Sequence, residues 1–301
     1  TESASHPIPK IKLKLNRLGE HRSEICGVMD LTQGYHQVNV EKSSMIFTAF
    51  IAFCGIYQWC RLPMGLKKAP LHFQEQMAAV VLIGLIYIIC EVYLDDIIVH
   101  GATAEEFLAR LRLVFERMDR YHIILKPNKC KFGLSSVEYC GRVISRYGLS
   151  MSEKKIASVI NFPMPVFAKE MKSFLGLANY FREFVPNHST IVHSLQALIP
   201  EYRRSNRIVW NAEARLAFDA VRTLINDCPT MYFLVPDGEL YLYTDASDFG
   251  IGGYLYQLID EKERPVAFVC KSLTSTQLRW AIIQKEAYAI FVTIKQLDHL
   301  L

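Results

Sequence analysis

The chain has 301 residues, 51% of them hydrophobic and 21% charged, and it carries a formal net charge of +4 at pH 7. These proportions exclude a disordered chain, and the length predicts two domains or several linked subdomains. The small positive charge permits a nucleic-acid partner without requiring one.

The first predicted elements are strands and one helix. Residues 25–30, ICGVMD, form an apolar run that ends on Asp30, which predicts a strand with the acid at its end. Residues 48–63 are β-branched and aromatic around Gly55, which favours a hairpin. Pro70 then fits the first turn of a helix with apolar spacing.

Two adjacent acids follow that helix. The sequence EVYLDDIIVH places Asp95 and Asp96 between two apolar runs, a pattern typical of two strands joined by a tight turn. Thr103 then fits an N-cap, with Glu106 at capping-box spacing, for a helix with one apolar face. The residues of that face are Phe107, Leu111, Val114, Phe115 and Met118.

From Ser152 the pattern changes to helices. The segments MSEKKIASVINF, AKEMKSFLGLANYFREFV and NAEARLAFDAVRTLINDC are each followed by a proline, and the polar, basic residues 203–210 predict a loop. Beyond Pro236 the sequence predicts strands at ELYLYTDAS, GIGGYLYQL and PVAFVC, and a final helix from about Thr276. The order is therefore mixed α/β, then helical, then β with a helix.

Targeting and redox features favour an intracellular protein without a membrane span. The segment TESASHPIPKIKLKLNRLGE lacks the apolar core of a secretory signal. The apolar stretch from Met77 to Cys90 is shorter than the roughly 20 residues that cross a bilayer, so we expect a buried helix end and strand. The eight cysteines show neither a CxxC pair nor zinc-type spacing, which predicts reduced, mostly buried thiols.

The position of these carboxylates inside apolar runs requires a physical explanation, because burying an unpaired charge costs free energy. Asp is common in turns, so turn chemistry alone accounts for Asp95 and Asp96. If Asp30 faced the same cleft, three carboxylates would repel one another unless cations lay between them. Two Mg²⁺ ions about 4 Å apart would meet that need and suit in-line phosphoryl transfer.

Several motifs, in the same order, resemble the reverse transcriptase and ribonuclease H region of a Ty3/gypsy-type long-terminal-repeat retroelement polyprotein. They are MDLTQGYHQV, RLPMGLKKAPLHFQ, VYLDDIIVHG, KPNKCKFGLSSVEYCGRVISRYGLS, EMKSFLGLANYFREFVPNHS and LYTDASDFGIGGYLYQ. The resemblance covers essentially the whole chain. It implies an RNA-directed DNA polymerase, a nucleotidyltransferase that uses an RNA or DNA template with a primer and deoxynucleoside triphosphates.

The resemblance also implies roles for single residues of the polymerase site. Asp30 and Asp95 would be ligands of two Mg²⁺ ions, with Asp96 as the third acid of the metal site. Tyr35 would be the aromatic residue that excludes the ribose 2′-hydroxyl. Without the motif, a packing tyrosine in a short helix is the simpler interpretation of Tyr35.

Further matching residues belong to the nucleotide and primer regions. Met64, Gly65 and Gln74 match the segment near the templating base and the incoming nucleotide, for which a plain helix entry is the alternative. Gly65 would allow close approach of the backbone. Lysines and an arginine near the primer-gripping hairpin would contact phosphates, although surface lysines are usually just solvated. These are Lys126, Lys129, Lys131 and Arg142.

A second metal site is implied near the C-terminal end. Asp245 on a strand and Glu286 on the final helix would share Mg²⁺ for hydrolysis of an RNA phosphodiester. Ala289 and Ile290 are expected on the apolar side of that helix. A Glu on a helix is by itself nearly uninformative, and an exposed structural residue is the alternative for Glu286.

The implied fold class is α+β: a right-hand polymerase palm with partial fingers and a helical thumb or connection, followed by a truncated ribonuclease H-like α/β domain. We assign partial fingers and palm to residues 1–145, thumb and connection to 146–230, and the N-terminal part of the ribonuclease H-like domain to 231–301. The given sequence starts after the basic finger segment of the family and stops inside an expected helix.

Three departures from the family pattern are Phe47 before TAF, Lys68 in GLKKAP, and CGR at residues 140–142 in place of LGH. They leave two main hypotheses. The chain is either a fragment of an active reverse transcriptase, or a retroelement-derived structural or interaction subunit without catalysis and with protein partners. An RNA-virus polymerase also uses paired aspartates, but TDAS followed by KEAYA argues against that class.

Overall fold

The computed structural model describes residues 11–21, 23–199, 207–236 and 238–301. The N-terminal PIPK segment and the first half of the predicted loop at 203–210 lie outside these ranges. The chain divides into two compact units, Thr1–Tyr147 and Gly148–Leu301.

The first unit combines short helices with three groups of strands. Its helices are α1 (Ile11–Glu20), α2 (Lys42–Met45), α3 (Ala69–Glu75), which continues as a π-helical segment over Gln76–Val81, and α4 (Ala104–Arg120). Its strands are β1 (Ile25–Asp30), β2 (Phe50–Ala52), β3 (Gly55–Tyr57), β4 (Cys90–Tyr93), β5 (Asp96–Gly101), β6 (Lys131–Leu134), β7 (Ser136–Tyr139) and β8 (Arg142–Ser145).

The central sheet of the first unit has the strand order β4-β5-β1-β6, and its pairs are antiparallel. Its core strands are apolar, and α3 and α4 pack on them in one cluster that includes Phe73, Val92 and Val114. Thr103 caps α4 by accepting a hydrogen bond from the Glu106 amide, as predicted. Burial of this apolar face is what stabilises the unit.

Helix α1 is joined to this sheet by a buried ion pair. Lys14 and Glu91 are both almost fully buried, and the Lys14 Nζ lies 3.0 Å from a Glu91 oxygen. The Arg17 Nε lies 2.8 Å from the other Glu91 oxygen. Loss of either cation would leave Glu91 buried with an incomplete set of partners, which is strongly destabilising.

Two hairpins complete the first unit. Strands β2 and β3 pair around Gly55, which confirms the predicted hairpin. Strands β7 and β8 pair through a two-residue turn at Cys140 and Gly141, whose φ values are 50° and 77°. Positive φ at both positions is the signature of a type I′ turn, whose twist matches that of the strands.

The second unit contains helices and two groups of strands. Its helices are α5 (Glu153–Ile160), α6 (Ala168–Asn179), α7 (His188–Ala197), α8 (Ala212–Asn226) and α9 (Ile282–Leu297). Its strands are β9 (Gly148–Met151), β10 (Met231–Tyr232), β11 (Leu240–Ala246), β12 (Gly250–Ile259) and β13 (Lys262–Ser272). Strand β9 pairs with β10, and the other three form an antiparallel sheet in the order β11-β12-β13.

The three-stranded sheet is covered differently on its two faces. Helix α9 packs on the face that includes Ala246, Ile251 and Leu255. Its closest approach is at Gly253, where an added Cβ would lie 2.5 Å from the Thr293 side chain. The N-terminal part of α7 approaches the opposite face, where a Cβ on Gly250 would lie 2.6 Å from the Ser189 hydroxyl oxygen.

Some predicted details were wrong. Phe115 is exposed and meets the Phe132 ring edge-on instead of joining the buried face of α4. Helix α6 ends at Asn179 instead of continuing toward Pro186, because the following residues form tight turns. The last helix begins at Ile282, after a short 3₁₀ segment, and its Ile290 is exposed while Ala289 is buried.

The cysteines also differ from the expectation. All eight are free thiols, but only Cys26 and Cys90 are fully buried, while Cys54 and Cys60 are exposed. None of the helices in the described part of the chain combines the length and apolar character needed to cross a bilayer.

Candidate polymerase and nuclease sites

The central sheet of the first unit brings two of the predicted acids face to face. In the β1–β5 register, Asp30 lies directly opposite Asp96. Asp96 also pairs with Tyr93 across the β4–β5 hairpin, so Leu94 and Asp95 form the connecting turn. The predicted turn is therefore confirmed, and the three carboxylates come from neighbouring positions at one end of the sheet.

The electrostatics of Asp96 show that these acids interact. Burial raises the pKa of the Asp96 carboxyl, and the nearby charges of Asp95 and Asp30 raise it further. The Cys140 thiol donates to an Asp96 oxygen at 3.7 Å, which acts in the opposite direction. Repulsion among the carboxylates is the reason that a cation is favoured here.

One cation from the chain already lies at this site. The Lys129 Nζ donates to Asp30 at 2.8 Å, and this hydrogen bond, with the surrounding acids, raises the pKa of Lys129. Lys129 comes from a short 3₁₀ turn before β6. The expected alternatives for Lys129 were a phosphate contact or a solvated surface position, and the structure pairs it with Asp30 instead.

Gln74 holds the turn that carries Asp95. It is buried on α3, its amide oxygen accepts a hydrogen bond from the Leu94 amide at 2.7 Å, and its amide nitrogen donates to the Val92 carbonyl at 3.3 Å. Leu94 has a φ of 57°, in the left-handed region that a non-glycine residue enters at a cost. Gln74 thereby stabilises a strained backbone position beside the acids.

Tyr35 lies on the same side of the sheet as the turn. Its ring packs on Phe73 with centroids 5.0 Å apart. Burial raises the pKa of its hydroxyl, and the charge of Asp95 adds to the effect. The neighbouring Gly34 is buried close by, since a Cβ there would lie 3.1 Å from Phe73 and 3.4 Å from the Asp95 Cβ. The structure thus brings Tyr35 near Asp95.

Met64 and Gly65 do not take part in this cluster of side chains. Met64 is exposed. Gly65 has a φ of 91° and no heavy atom within 4 Å of an added Cβ, so the backbone conformation, not a close approach, explains a glycine there.

Whether the site of Asp30, Asp95 and Asp96 suits a metal ion depends on the atoms that would bind the ion. Carboxylate oxygens are the ligands that Mg²⁺ prefers, and Mg²⁺ commonly uses one or two carboxylates together with substrate phosphates. Within the described ranges, no three His, Cys, Asp or Glu side chains are arranged so that they already form a metal cage. Asp30, Asp95 and Asp96 supply carboxylate oxygens of this kind at one end of the sheet.

The second unit presents Asp245 on an open face. Asp245 is exposed near the end of β11 and lines a cavity of about 400 Å³ with Asn187, Tyr243, Tyr254 and Phe268. The rings of Tyr254 and Phe268 are stacked, with centroids 4.9 Å apart. An acid beside aromatic walls could hold a cation, although one carboxylate alone is a weak site.

Asp245 and the buried stripe of α9 lie on opposite faces of the sheet. Ala246 packs with Ala289 of α9, one turn after the half-buried Glu286. Because successive side chains of a strand point to opposite faces, Asp245 faces away from the buried stripe of α9. The neighbouring Lys285 is buried, and its Nζ lies 3.2 Å from an Asp248 oxygen.

Sequence reasoning missed the contacts that support the acids. Along the chain, Lys129 is 99 residues from Asp30 and Cys140 is 44 residues from Asp96. A local sequence pattern cannot predict contacts over such separations. Gln74 did carry a signal, because it is a polar residue on the otherwise apolar side of α3 with Phe73 and Met77. The role near the incoming nucleotide that the resemblance implies for Gln74 stays a prediction.

Two family comparisons match the chain. "Reverse transcriptase (RNA-dependent DNA polymerase)" matches residues 2–179, and "RNase H-like domain found in reverse transcriptase" matches residues 210–301. The boundaries we placed after residues 145 and 230 differ from these limits and stay predictions.

Similar proteins are retrotransposon polyproteins. The chain is 30% identical to the retrovirus-related Pol polyprotein from transposon 297 and 31% identical to that from transposon opus, both of Drosophila melanogaster. It is 28% identical to the transposon Tf2-3 polyprotein of Schizosaccharomyces pombe. These matches cover 98%, 97% and 98% of the chain but only 27%, 30% and 22% of the respective polyproteins.

Solved structures support the same fold. The foamy viral protease-reverse transcriptase in complex with an RNA/DNA hybrid matches with a TM-score of 0.83 at 24% identity, over 98% of this chain and 39% of that chain. A second structure of that protein, in complex with double-stranded DNA, matches with a TM-score of 0.78 at 26% identity, over 94% and 50%. The expected fold class, a reverse transcriptase fold followed by a ribonuclease H-like domain, is confirmed, and the chain belongs to the reverse transcriptase (RNA-dependent DNA polymerase) family.

Proposed function

We propose that the first unit performs templated nucleotidyl transfer: a primer 3′-hydroxyl attacks the α-phosphate of a deoxynucleoside triphosphate, and pyrophosphate leaves. The observation that carries this proposal is the register of Asp30 opposite Asp96, with Asp95 in the adjoining turn. The proposed substrates are an RNA or DNA template with its primer, in keeping with the nucleic acids bound in the foamy viral structures.

In this proposal the three acids hold Mg²⁺ together with the phosphates of the substrate. When bound, the metal lowers the pKa of the 3′-hydroxyl and stabilises the charge that develops on the leaving pyrophosphate. Gln74 keeps the turn in place, so that the Asp95 carboxylate stays oriented. The Tyr35 ring, close to Asp95, lies under the sugar and discriminates against a 2′-hydroxyl.

The test is Mg²⁺-dependent primer extension on an RNA template. We expect extension by the chain and a loss of at least about 100-fold for Asp95→Asn, because a metal ligand is removed while the side-chain volume is kept. Asp119→Asn is the matched control, since Asp119 is exposed at the end of α4. Equal rates for the chain and Asp95→Asn would contradict the assignment.

The alternative hypothesis is a structural or interaction subunit without catalysis. It predicts no extension by the chain under any metal condition and recovery of the chain in a stable assembly with protein partners. The closely grouped Asp30, Asp95 and Asp96 favour the polymerase over this alternative, because repelling carboxylates lower stability and a bound cation relieves that repulsion.

A second candidate activity is hydrolysis of the RNA strand of a hybrid by the second unit. It is supported by the match to the ribonuclease H-like domain and by the exposure of Asp245 beside a cavity. Mg²⁺ is again the proposed metal, with Asp245 and Glu286 as proposed ligands. Release of labelled RNA from an RNA/DNA hybrid tests this activity, and Asp245→Asn is expected to abolish it.

The proposed setting is the interior of a cell. All eight cysteines are free, which suits a reducing compartment.

A further inference from the structure

The loop that carries Tyr35 is closed by the side chain of Gln37. This loop leaves β1 and turns through a short 3₁₀ segment, Gly34–Gln37. The Gln37 side chain is half-buried, and its Nε2 donates a hydrogen bond to the Thr32 carbonyl at 2.6 Å. One carboxamide thus ties the end of the loop to its beginning, with Tyr35 between the two tied points.

The same carboxamide also binds Ile124, in the segment between α4 and β6. The Gln37 Nε2 donates to the Ile124 carbonyl at 2.9 Å, and the Gln37 Oε1 accepts from the Ile124 amide at 2.7 Å. A carboxamide offers both donors and an acceptor, so it serves the two backbone groups of Ile124 as the backbone of a neighbouring strand would. A side chain that only donates or only accepts could not make both bonds.

The segment that contains Ile124 is itself anchored beside the proposed metal acids. The Lys126 amide donates to the Asp30 carbonyl at 2.9 Å, and the Thr32 amide donates to the Ile124 carbonyl at 3.0 Å. These bonds hold the segment at a fixed place relative to the end of β1. Gln37 extends that anchor to the 3₁₀ turn.

The other contacts of the turn do not fix the Tyr35 ring as firmly. The ring packs on Phe73 with centroids 5.0 Å apart, and such apolar packing is non-directional. Among the described residues, none is hydrogen-bonded to the Tyr35 hydroxyl. Gln33, which precedes the turn, has a φ of 48°, a conformation that costs free energy in a non-glycine residue. A turn with this strain needs outside contacts to keep one conformation.

We propose that Gln37 is a positioning residue that fixes the Tyr35 ring and thereby sets the discrimination between deoxyribonucleotides and ribonucleotides. This role rests on the proposed function, in which the Tyr35 ring lies under the sugar. Gln37 acts through the turn that it closes and not by contact with the substrate. Small displacements matter at such a site, because a misplacement of about 1 Å can change a rate by about 100-fold.

Fluorine NMR of the chain labelled with 3-fluorotyrosine tests the positioning without any need for catalysis. The Tyr35 resonance is identified as the one that Tyr35→Phe removes. Gln37→Met keeps the side-chain volume and removes all three hydrogen bonds, so we expect it to shift the Tyr35 resonance by more than its linewidth or to broaden it at least about twofold. Gln33→Met is the matched control and should leave the resonance unchanged, because Gln33 is exposed and its side chain does not cap the turn.

Gln37→Glu separates the hydrogen bonds from the packing. The introduced carboxylate accepts from the Ile124 amide but repels the Thr32 and Ile124 carbonyls, whereas its protonated form can donate again. Repulsion by these carbonyls raises the pKa of the introduced group. The Tyr35 resonance of this variant is therefore expected to return toward that of the parent between about pH 8 and about pH 5, with the parent measured at each pH. The same displacement at both pH values would overturn the role of the hydrogen bonds.

Primer extension with each nucleotide type tests the effect on discrimination. Gln37→Met is expected to raise the use of ribonucleotides relative to deoxyribonucleotides by about fivefold or more, while kcat/KM for deoxyribonucleotides falls by less than about threefold. A purely structural loss would lower both activities equally and leave the ratio unchanged. Gln33→Met should leave the ratio within about twofold of the parent.

The outcomes separate this role of Gln37 from the proposed function. An unchanged Tyr35 resonance in Gln37→Met, or an equal change in Gln33→Met, overturns the positioning role whether or not the chain extends a primer. A ratio that Tyr35→Ala changes and Gln37→Met does not overturns the role of Gln37 and leaves the proposed function intact. If neither variant changes the ratio, the proposed role of Tyr35 fails, and the effect of Gln37 on discrimination fails with it.

Discussion

At the scale of single residues, the acids depend on polar groups that hold the backbone around them. Gln74 is the clearest case, because one buried amide satisfies both the Leu94 amide and the Val92 carbonyl. A buried donor or acceptor that loses its partner costs about 1–3 kcal/mol. The turn that presents Asp95 is therefore specified from α3 as well as by its own sequence.

Replacing Gln74 tests this support. Gln74→Met keeps the volume and removes both hydrogen bonds, so we expect a loss of about 1–3 kcal/mol in the free energy of unfolding, measured by urea denaturation. Gln76→Met, two residues along the same helical segment, is the control and is expected to change stability by less than about 0.5 kcal/mol. Equal effects of the two substitutions would show that the turn does not depend on Gln74.

Repulsion at Asp96 predicts a stabilising substitution. Because burial and the nearby acids raise the pKa of Asp96, its ionised form destabilises the fold above that pKa, and this cost disappears as the pH falls through it. Asp96→Asn in metal-free buffer is therefore expected to raise Tm by about 2 °C at pH 8. The gain shrinks toward zero near about pH 4, where the carboxyl is protonated.

Thermal unfolding at several pH values measures this effect. Asp119→Asn, at an exposed acid, serves as the comparison and is expected to leave Tm unchanged. A lower Tm for Asp96→Asn at pH 8, or a gain that does not depend on pH, would count against convergence of the acids.

Tyr35 gives a prediction about substrate choice. Its ring packs on Phe73 and lies near Asp95, where the sugar of an incoming nucleotide is proposed to bind. Tyr35→Ala should raise the use of ribonucleotides relative to deoxyribonucleotides by roughly tenfold or more, because the excluding ring is gone. Tyr35→Phe keeps the ring and should keep the discrimination. Primer extension with each nucleotide type measures the ratio, and an unchanged ratio in Tyr35→Ala would refute the role.

At the scale of elements, close contacts decide how helices cover the sheets. Helix α9 approaches β12 at Gly253, where the Thr293 side chain occupies the space of a Cβ. The Thr293 hydroxyl is buried without a hydrogen-bond partner, so the contact between α9 and β12 at this point is van der Waals packing and not a hydrogen bond. Any larger residue at Gly253 must push the helix away or distort the strand.

Gly253→Ala is therefore expected to lower the free energy of unfolding by about 1–3 kcal/mol. Adding Thr293→Ala should recover part of that loss, because it removes the two nearest atoms and a buried unsatisfied hydroxyl. Gly176→Ala is the contrasting control: no atom lies within 4 Å, and alanine favours the helix by up to about 1 kcal/mol. Urea denaturation of the four variants checks these values, and no rescue by Thr293→Ala would contradict the packing account.

At the scale of the whole molecule, the two compact units have separate apolar cores. One cluster spans the central sheet with α3 and α4, and two others join the second sheet to α9. A unit with its own core can unfold as its own cooperative element. The proposed polymerase acids and the proposed nuclease acid Asp245 lie in different units.

Differential scanning calorimetry should therefore show two transitions. Asp96→Asn is expected to move only the transition of the first unit upward, and Gly253→Ala only that of the second unit downward, because distant substitutions act independently. A single transition that both variants shift would show that the units unfold together.

Local sequence determined most of the elements and the identity of the acids. Alternation and turn chemistry act over a few residues, so the strand ending at Asp30, the Asp95–Asp96 turn and the capped helix after Thr103 were predictable. The order of the motifs was sufficient to indicate the family. Helix ends were less predictable, since tight turns after Asn179 stop α6 before the proline does.

Only the tertiary structure decided which side chains meet. The pairing of Lys129 with Asp30 spans 99 residues, and the bond from Gln74 to the Leu94 amide spans 20, so both depend on how the elements pack and not on any local pattern. The same holds for Asp245, whose face is set by the packing of Ala246 against α9.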